Sequence, residues 1–330
     1  MKPKILVLGG TGFVGAETIR RLLERGYGVR ATRRATSPMW HVESLDVEWV
    51  ELDLDQSDSL VGAFKGCAGV IHAAGFHPTD GLAIAQARST GVRQMRHVLD
   101  ACAGQGVRRV VFVSSAVTLG SAQQNDLRDE TDFYAPGEVD DALFEAKYSI
   151  ESELYRYISQ DFEIVIALPS QIYGPGDVKP GSGQFIVRLV RGHVPLLVGE
   201  RINVVDVRDV ASSLVAALER GRSGRRYILG GVNTDAETFA NMVCEQAAVA
   251  APKIRLPNAV VRGGARGLEM LGQHLGGRLP ARLVDIDVAI HGGHLDCARA
   301  EGELGHSSRA LSATIEDSLA WFSRFGYLNT

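Results

Sequence analysis

Seven residues, Gly9-Gly10-Thr11-Gly12-Phe13-Val14-Gly15, separate an apolar run from an amphipathic segment. They satisfy G-x-G-x-x-G through Gly10, Gly12 and Gly15, and G-x-x-G-x-x-G through Gly9, Gly12 and Gly15. Side chains are excluded from such a loop because the backbone must turn tightly and approach a pyrophosphate closely. The helix that follows then offers free N–H groups and the positive end of its dipole to the phosphates. About twenty positions on, where an acidic residue would hold the ribose 2′-OH of NAD, the chain has Thr32-Arg33-Arg34. Two guanidiniums suit a 2′-phosphate through forked, charge-assisted hydrogen bonds, so NADP is expected over NAD, with NAD still open. The lesser alternative is that Arg33 and Arg34 are solvated surface charges. Ser114 and Ser115 end an apolar run, on the side where open α/β sheets bind ligands. Lys147 lies in a stripe with Leu143, Ile150 and Leu154, either snorkelling from a packed face or aimed at a ligand.

The elements that must position these groups follow from periodicity. Ile5–Leu8 is a short continuous apolar run ending in glycines, as a buried parallel strand would be. Ala16–Arg25 has helical spacing with Gly26 as its stop. Gly28–Arg33, Val47–Leu54, Val70–Ala74, Val110–Ser115 and Glu163–Leu168 read as further strands. Ser57 is expected to cap a helix over Asp58–Lys65, and Arg88–Ala103 and Asp141–Ser159 are helical. Strand and helix in alternation predict a parallel sheet covered on both faces. The fold class expected is α/β, a Rossmann-type doubly wound parallel sheet over residues 1–174 with a smaller α/β lobe over 175–330. Gly174–Gly183 reads as a loop. Beyond it, strands near Ile202–Val205 and Tyr227–Leu229 return towards the first unit, with helices near Val210–Arg220 and Thr234–Ala248. Val260–Leu279 carries six glycines and mixed helical signals, and Ala313–Phe322 closes the chain as an amphipathic helix.

Length and composition set outer bounds. The 330 residues suffice for two core-bearing units, and 45% hydrophobic with 22% charged residues describes an ordinary globular chain. A formal charge of -4 leaves no basic excess to neutralise phosphates, which argues against a nucleic-acid partner. The four cysteines, at 67, 102, 244 and 297, form no C-x-x-C pair, and no metal site is expected. The N-terminal apolar run is too short for a signal peptide and no run spans a membrane, so the expected location is cytoplasmic.

Several stretches in family order resemble the extended short-chain dehydrogenase/reductase family, also called the NAD-dependent epimerase/dehydratase family. They are the Gly9–Gly15 loop, Asp53-Leu54, His72-Ala73-Ala74, Ser114-Ser115-Ala116, Pro169 with Tyr173-Gly174-Pro175-Gly176, and Val205-Asp206-Val207-Arg208-Asp209-Val210. The Gly174–Pro180 and Arg226–Gly231 stretches look most like hopanoid-associated sugar epimerases and their dihydroflavonol-reductase-like kin. The resemblance implies that Asp53 and Leu54 edge the adenine, that Ala73 and Ala74 pass close to the middle of the cofactor, and that Pro169 precedes a loop flanking the nicotinamide. It implies that Ser115 hydrogen-bonds the substrate oxygen and that Lys147 binds the nicotinamide ribose. It also implies a small-molecule substrate such as a nucleotide sugar, held by the lobe after about residue 175, and a homodimer through Arg88–Ala103 and Asp141–Ser159. Of the arginines in that lobe, Arg188, Arg191, Arg201 and Arg208, the last is best placed by family position to meet a nucleotide pyrophosphate.

One position departs from the family. Its proton is moved by tyrosine in a Tyr-x-x-x-Lys helix, where the neighbouring ammonium favours phenolate. Four residues before Lys147 this chain has Leu143, and no Tyr-x-x-x-Lys occurs anywhere. Tyr148 is adjacent to Lys147, so on a helix it points about 100° away. Tyr173, His77 and His193 are the candidates for a substitute. Three readings remain: an oxidoreductase or epimerase with a replacement proton carrier, a catalytically lapsed NADP(H)-binding sensor or partner subunit, and a flavin-type Rossmann enzyme.

Overall fold

The computed structural model describes residues 2–78, 81–121, 127–158, 162–194, 196–256, 260–261, 263–264 and 283–329. Most of Val260–Leu279, with its expected helical signal, lies outside the described residues.

Strand β1 (Lys2–Leu8) shows why the principal sheet must be covered twice. Leu6 and Leu8 enter one apolar cluster while Ile5 and Val7 enter another. With period-two alternation, four consecutive apolar residues bury both faces. The other strands of this sheet are β2 (Tyr27–Arg33), β3 (Glu48–Glu51), β4 (Gly69–His72), β5 (Arg109–Val113), and, after a two-residue β6 (Leu127–Arg128), β7 (Glu163–Pro169). Further along come β8 (Gln171–Tyr173), β9 (Leu196–Leu197), β10 (Arg201–Asp206) and β11 (Arg226–Leu229). The seven-stranded sheet runs β3-β2-β1-β4-β5-β7-β11, and every neighbouring pair is parallel. The order reverses between β1 and β4, which opens a crevice at their carboxyl ends. This is the doubly wound Rossmann-type arrangement expected.

Helices α1 (Phe13–Glu24), α2 (Ser57–Phe64), α3 (Ile84–Gly104), α4 (Ala142–Ile158), α5 (Gly183–Val190) and α6 (Val207–Arg220) follow in order. The cluster containing Leu6 and Leu8 takes Leu60, Met95, Leu99, Ile150 and Leu154 from α2, α3 and α4. The opposite cluster takes Ile19 and Leu22 from α1 and Val210 and Leu214 from α6. A Cβ on Gly91 would stand 2.6 Å from Ile150 Cδ1, so glycine lets α3 and α4 approach closely.

A second sheet, β12 (Val232–Asp235), β10 and β8, pairs β10 antiparallel with β12 and parallel with β8. It packs with α5, α7 (Ala236–Gln246) and a C-terminal helix into a separate apolar cluster that includes Tyr173, Ile186, Phe239, Ile315 and Phe322. Two short helices, α8 (Leu283–Ile290) and α9 (Ala298–Leu304), precede that last helix, α10 (Leu311–Arg324).

Several boundaries differ from the periodicity. Helix α1 begins at Phe13, three residues before the expected start, because Gly12 is already its N-cap residue. Ser57 is the first residue of α2 and does not cap it; Gln56 stands at the cap and makes no side-chain bond there. Strand β3 ends at Glu51, where the chain turns so that Asp53 Oδ1 accepts from Asp55 N at 3.0 Å.

Candidate functional site

The glycine loop occupies the crevice between β1 and β4. Gly9 has φ +80°, and a Cβ there would stand 2.8 Å from Ala74 Cα; one on Gly15 would overlap Gly9 O. Glycine is required at both positions, at the first by the backbone twist and the neighbouring strand, at the second by the loop's own carbonyl. Two bonds from β2 hold the loop: Gly9 N donates to Thr32 Oγ1 at 3.0 Å and Gly10 N to Thr32 O at 2.9 Å. Helix α1 opens with no side-chain cap and no acidic residue in its first turn. Its first amides, among them those of Phe13, Val14 and Gly15, therefore meet no anionic side chain of their own helix. That is the cradle a pyrophosphate needs. The residues present fit a dinucleotide.

The outer edge of the crevice is charged. Arg33 ends β2 and pairs with Glu51 at 3.2 Å, while Arg34 follows it exposed. Asp53 is exposed and Leu54 half-buried beyond β3. From the far side of the loop, His41 Nε2 lies 3.1 Å from Thr11 O. A carbonyl only accepts, so Nε2 carries the proton in that bond.

Helix α4 brings Lys147 against Gly75, in the loop after β4. Asp141 starts the helix by accepting from Leu143 N at 2.7 Å and Phe144 N at 3.3 Å, an N-cap geometry. Lys147 is 4% exposed, and a Cβ added to Gly75 would stand 2.9 Å from its Nζ. Burial pulls its ammonium down to about 8, against the opposing pull of Glu151. Burial pushes the Glu151 carboxyl up, while Arg226, Thr118 and Ser114 draw it down.

Glu151 ties four elements together. It accepts from Ser114 Oγ at 2.8 Å and lies 2.8 Å from Arg226 Nε, both members of that ion pair being almost fully buried. Arg226, in β11, also donates to Thr118 O and Thr118 Oγ1, each at 3.0 Å. Ser115 is thus held from both sides, on a short 3₁₀ turn it opens by accepting from Val117 N at 3.4 Å. Neither Glu151 nor Arg226 has a site role legible from sequence, although Arg226 opens the Arg226–Gly231 stretch. The available signal was a glutamate one helical turn beyond Lys147.

The tyrosines near α4 are otherwise engaged. Tyr134 is buried, its hydroxyl bonded to Glu145 at 2.9 Å and to Val139 O at 3.0 Å, and burial raises its titration. Tyr148 packs on Tyr134 with ring centroids 5.8 Å apart. Tyr173 is buried against Phe239 in the second sheet, and burial raises its phenol as well. His193 is exposed in the turn after α5. His77 instead lies beside Gly75, the residue against which Lys147 rests. Arg208 is committed to carboxylates, reaching Asp206 at 2.7 Å and Asp317 at 2.6 Å, so structural pairing occupies it.

Among the described residues no group of three or more His, Cys, Asp or Glu side chains could hold a metal ion, and no helix is long and apolar enough to cross a membrane.

Residues 5–230 match the model of a family described as the NAD dependent epimerase/dehydratase family. A putative dihydroflavonol 4-reductase from Synechocystis sp. is 33% identical over 335 aligned residues, covering 98% of this chain and 96% of that protein. Sterol demethylase protein B from Methylococcus capsulatus is 27% identical over 326 residues, covering 98% of this chain and 99% of that protein. Among solved structures, a nucleoside-diphosphate-sugar epimerase from Pseudomonas aeruginosa matches with a TM-score of 0.84 at 25% identity, over 100% of both chains.

Proposed function

The chain belongs to the NAD dependent epimerase/dehydratase family, and on that premise we propose that it is an NADP(H)-dependent oxidoreductase of a carbonyl or carbinol group in a nucleotide sugar or small organic molecule. The observation that carries this reading is the uncapped start of α1, set by the glycine loop against Ala74 at the strand-order reversal. Gly9, Thr11, Gly12, Phe13, Val14 and Gly15 take the pyrophosphate. Arg33 and Arg34 take a 2′-phosphate, and Asp53 and Leu54 border the adenine. Ala73, Ala74 and Pro169 leave room along the carboxyl ends of β4 and β7. When bound, the nicotinamide supplies or accepts a hydride. Lys147 holds its ribose, and Ser115 orients the substrate oxygen. The similarity to a putative dihydroflavonol reductase and to a nucleoside-diphosphate-sugar epimerase supports the substrate class.

A second reading, nucleotide binding without turnover, is favoured by one residue. Leu143 holds the position of the family's tyrosine and cannot move a proton. Calorimetry with NADPH and NADH tests the shared premise, and absence of binding by either removes both readings. Oxidation of NADPH in the presence of a dihydroflavonol or a UDP-hexose then separates them. Turnover by the native chain supports the enzyme. Turnover only after Leu143→Tyr supports the lapsed form, since a positioned acid–base group typically contributes about 10²–10⁴ in rate.

A further inference from the structure

The end of α10 builds an aromatic wall at the surface. Gly326, at φ +76°, closes the helix: its N–H donates to Ser323 O at 3.1 Å, and that of Tyr327 to Phe322 O at 2.8 Å. A left-handed glycine with these two bonds reverses the chain. Tyr327 therefore folds back onto Trp321 and Phe322, with ring centroids 5.3 Å and 5.5 Å away, and its hydroxyl donates to Val178 O at 2.7 Å. From the other side, the loop between β2 and β3 brings Trp40. Its ring meets Phe325 at 4.9 Å and lies 6.5 Å from Trp321, 15° from parallel. The next residue, His41, is anchored by its ring to Thr11 O, and its carbonyl accepts from Arg20 Nη2 at 2.8 Å. Both walls are thus fixed by bonds to backbone.

Trp40, Arg191, Phe325, Gly326 and Tyr327 line an open cleft of about 350 Å³ between these walls. Small-molecule sites run from about 300 to 1,000 Å³, so this one has room for one or two fused rings. Trp40 and Phe325 are 44% and 41% exposed, a contiguous aromatic surface of the kind that marks a contact site. Arg191 is the one charged residue of the lining. It directly follows α5 and is half-buried. Its guanidinium has no hydrogen-bond or ion-pair partner among the described residues, and its Nε is enclosed. Arg324, whose guanidinium lies 5.6 Å from the centre of the Phe325 ring, likewise meets no carboxylate there. An enclosed donor without an acceptor is costly. Elsewhere in the fold Arg33, Arg208 and Arg226 are paired with carboxylates. The cleft therefore combines a flat apolar wall with positive charge, and its own lining supplies no anion.

We propose that this cleft binds a small planar aromatic carboxylate, its ring against Trp40 and Phe325 and its carboxylate in the fork of Arg191. A guanidinium takes a carboxylate through two parallel N–H bonds, a geometry that an ammonium does not supply. The aromatic wall accepts a flat ring by offset or edge contacts. This is a second site: none of its five lining residues is assigned above to dinucleotide or substrate. Its walls come from the β2–β3 loop and from the C-terminal lobe, so a bound acid bridges the two.

The probes are 2-naphthoate and its neutral amide, 2-naphthamide, titrated calorimetrically into the full chain. The acid is expected to saturate one site and to bind about tenfold tighter than the amide, or more. Arg191→Met is expected to weaken the acid about tenfold or more and to leave the amide within about twofold. Trp40→Leu is expected to weaken both probes alike, by about three- to tenfold. Indole N–H signals in NMR locate the ring. The acid should shift those of Trp40 and Trp321 and leave that of Trp49, which packs against Gly10, in place. Equal affinity for acid and amide, a preference that survives Arg191→Met, or a shift of Trp49 alone overturns the proposal. So does the absence of saturable binding by the acid, or its displacement by NADPH, which would move the acid into the dinucleotide crevice. NADPH affinity, measured on the same proteins, should stay within about twofold in both variants. Failure of NADPH to bind the native chain removes the oxidoreductase reading alone, because the cleft shares no residue with it.

Discussion

Glu151 accepts a 2.8 Å hydrogen bond from Ser114, the residue before Ser115, and stands one helical turn beyond Lys147. The same carboxylate is paired with the buried guanidinium of Arg226. One buried ion pair therefore stands behind the two side chains proposed to handle substrate and ribose.

Breaking that pair should cost more than a surface ion pair would. Removing one partner of a buried pair leaves an uncompensated charge, typically about 3–5 kcal/mol. Glu151→Ala is expected to lose about that much stability in urea denaturation. Glu151→Ala combined with Arg226→Met is expected to lose less than the sum of the two single changes. Additive losses would show that the carboxylate and guanidinium are not energetically coupled.

Lys147 predicts a pH signature of the ligand-free protein. Its ammonium titrates at about 8 in the fold, below the ordinary lysine value of 10.5. Between those two values the unfolded chain binds more protons, so stability should rise with pH across that window and be flat on either side. The difference is on the order of 3 kcal/mol. Lys147→Met should abolish the rise and be more stable than the native chain at pH 7, while binding NADPH more weakly. Parallel stability curves for the two proteins between pH 7 and 11 would contradict the burial of this charge.

Asp177 predicts the opposite trend at lower pH. It sits buried behind Gly183, accepting on Oδ2 from Gly181 N at 3.0 Å and Gly183 N at 3.2 Å. Burial outweighs those two bonds and pushes its carboxyl up to about 6 from 3.8. A raised folded value means the contribution to stability is fully present below about 3.8 and lost as pH rises through about 6. Asp177→Asn keeps an oxygen for both amides and removes the charge. It should stabilise the fold by about 3 kcal/mol at pH 7.5 and by nothing at pH 3.5. Thermal melts at the two pH values check it; an equal effect at both would point to packing and not to charge.

Much of the principal sheet was legible because its strands carry their own signature. Ile5–Leu8, Val110–Val113 and Ile164–Leu168 are apolar at every position, are short and are bounded by turn residues, as strands buried on both faces are. The second sheet was less so. Gln171–Tyr173 is three residues long, directly behind Pro169, and α5 starts among Pro180, Gly181 and Gly183, residues that ordinarily mark a loop. The glycine loop announced its chemistry because backbone geometry demands a residue type. The support behind Ser115 did not, because Glu151 and Arg226 are far apart in sequence and meet only through the order of β5, β7 and β11. Likewise Tyr173, His77 and His193 are equivalent candidates by sequence, and only the fold separates them, burying Tyr173 against Phe239 and leaving His193 exposed in the turn after α5.

On the proposed NADP(H) reading, cofactor preference should turn on the pair at the ends of β2 and β3. Arg33 bonds Glu51 at 3.2 Å, with the two side chains 29% and 56% exposed. A pair this open is worth about 1 kcal/mol or less, because water screens it. A doubly charged 2′-phosphate, accepting forked bonds from the same guanidinium, gains more than it displaces. Glu51 is therefore expected to act as a mild competitor. Glu51→Gln should tighten NADPH binding up to about fivefold and leave NADH unchanged, since only the first ligand contests the arginine. Arg33→Asp should weaken NADPH by about tenfold or more, in line with about 1.5–3 kcal/mol for a hydrogen bond to a charged group. It should also improve NADH, whose 2′-OH can donate to the new carboxylate. Calorimetric affinities for both nucleotides on the three proteins measure this. An NADPH-to-NADH ratio indifferent to Arg33→Asp would move the 2′-phosphate off Arg33 and leave Arg33 as a surface charge held by Glu51.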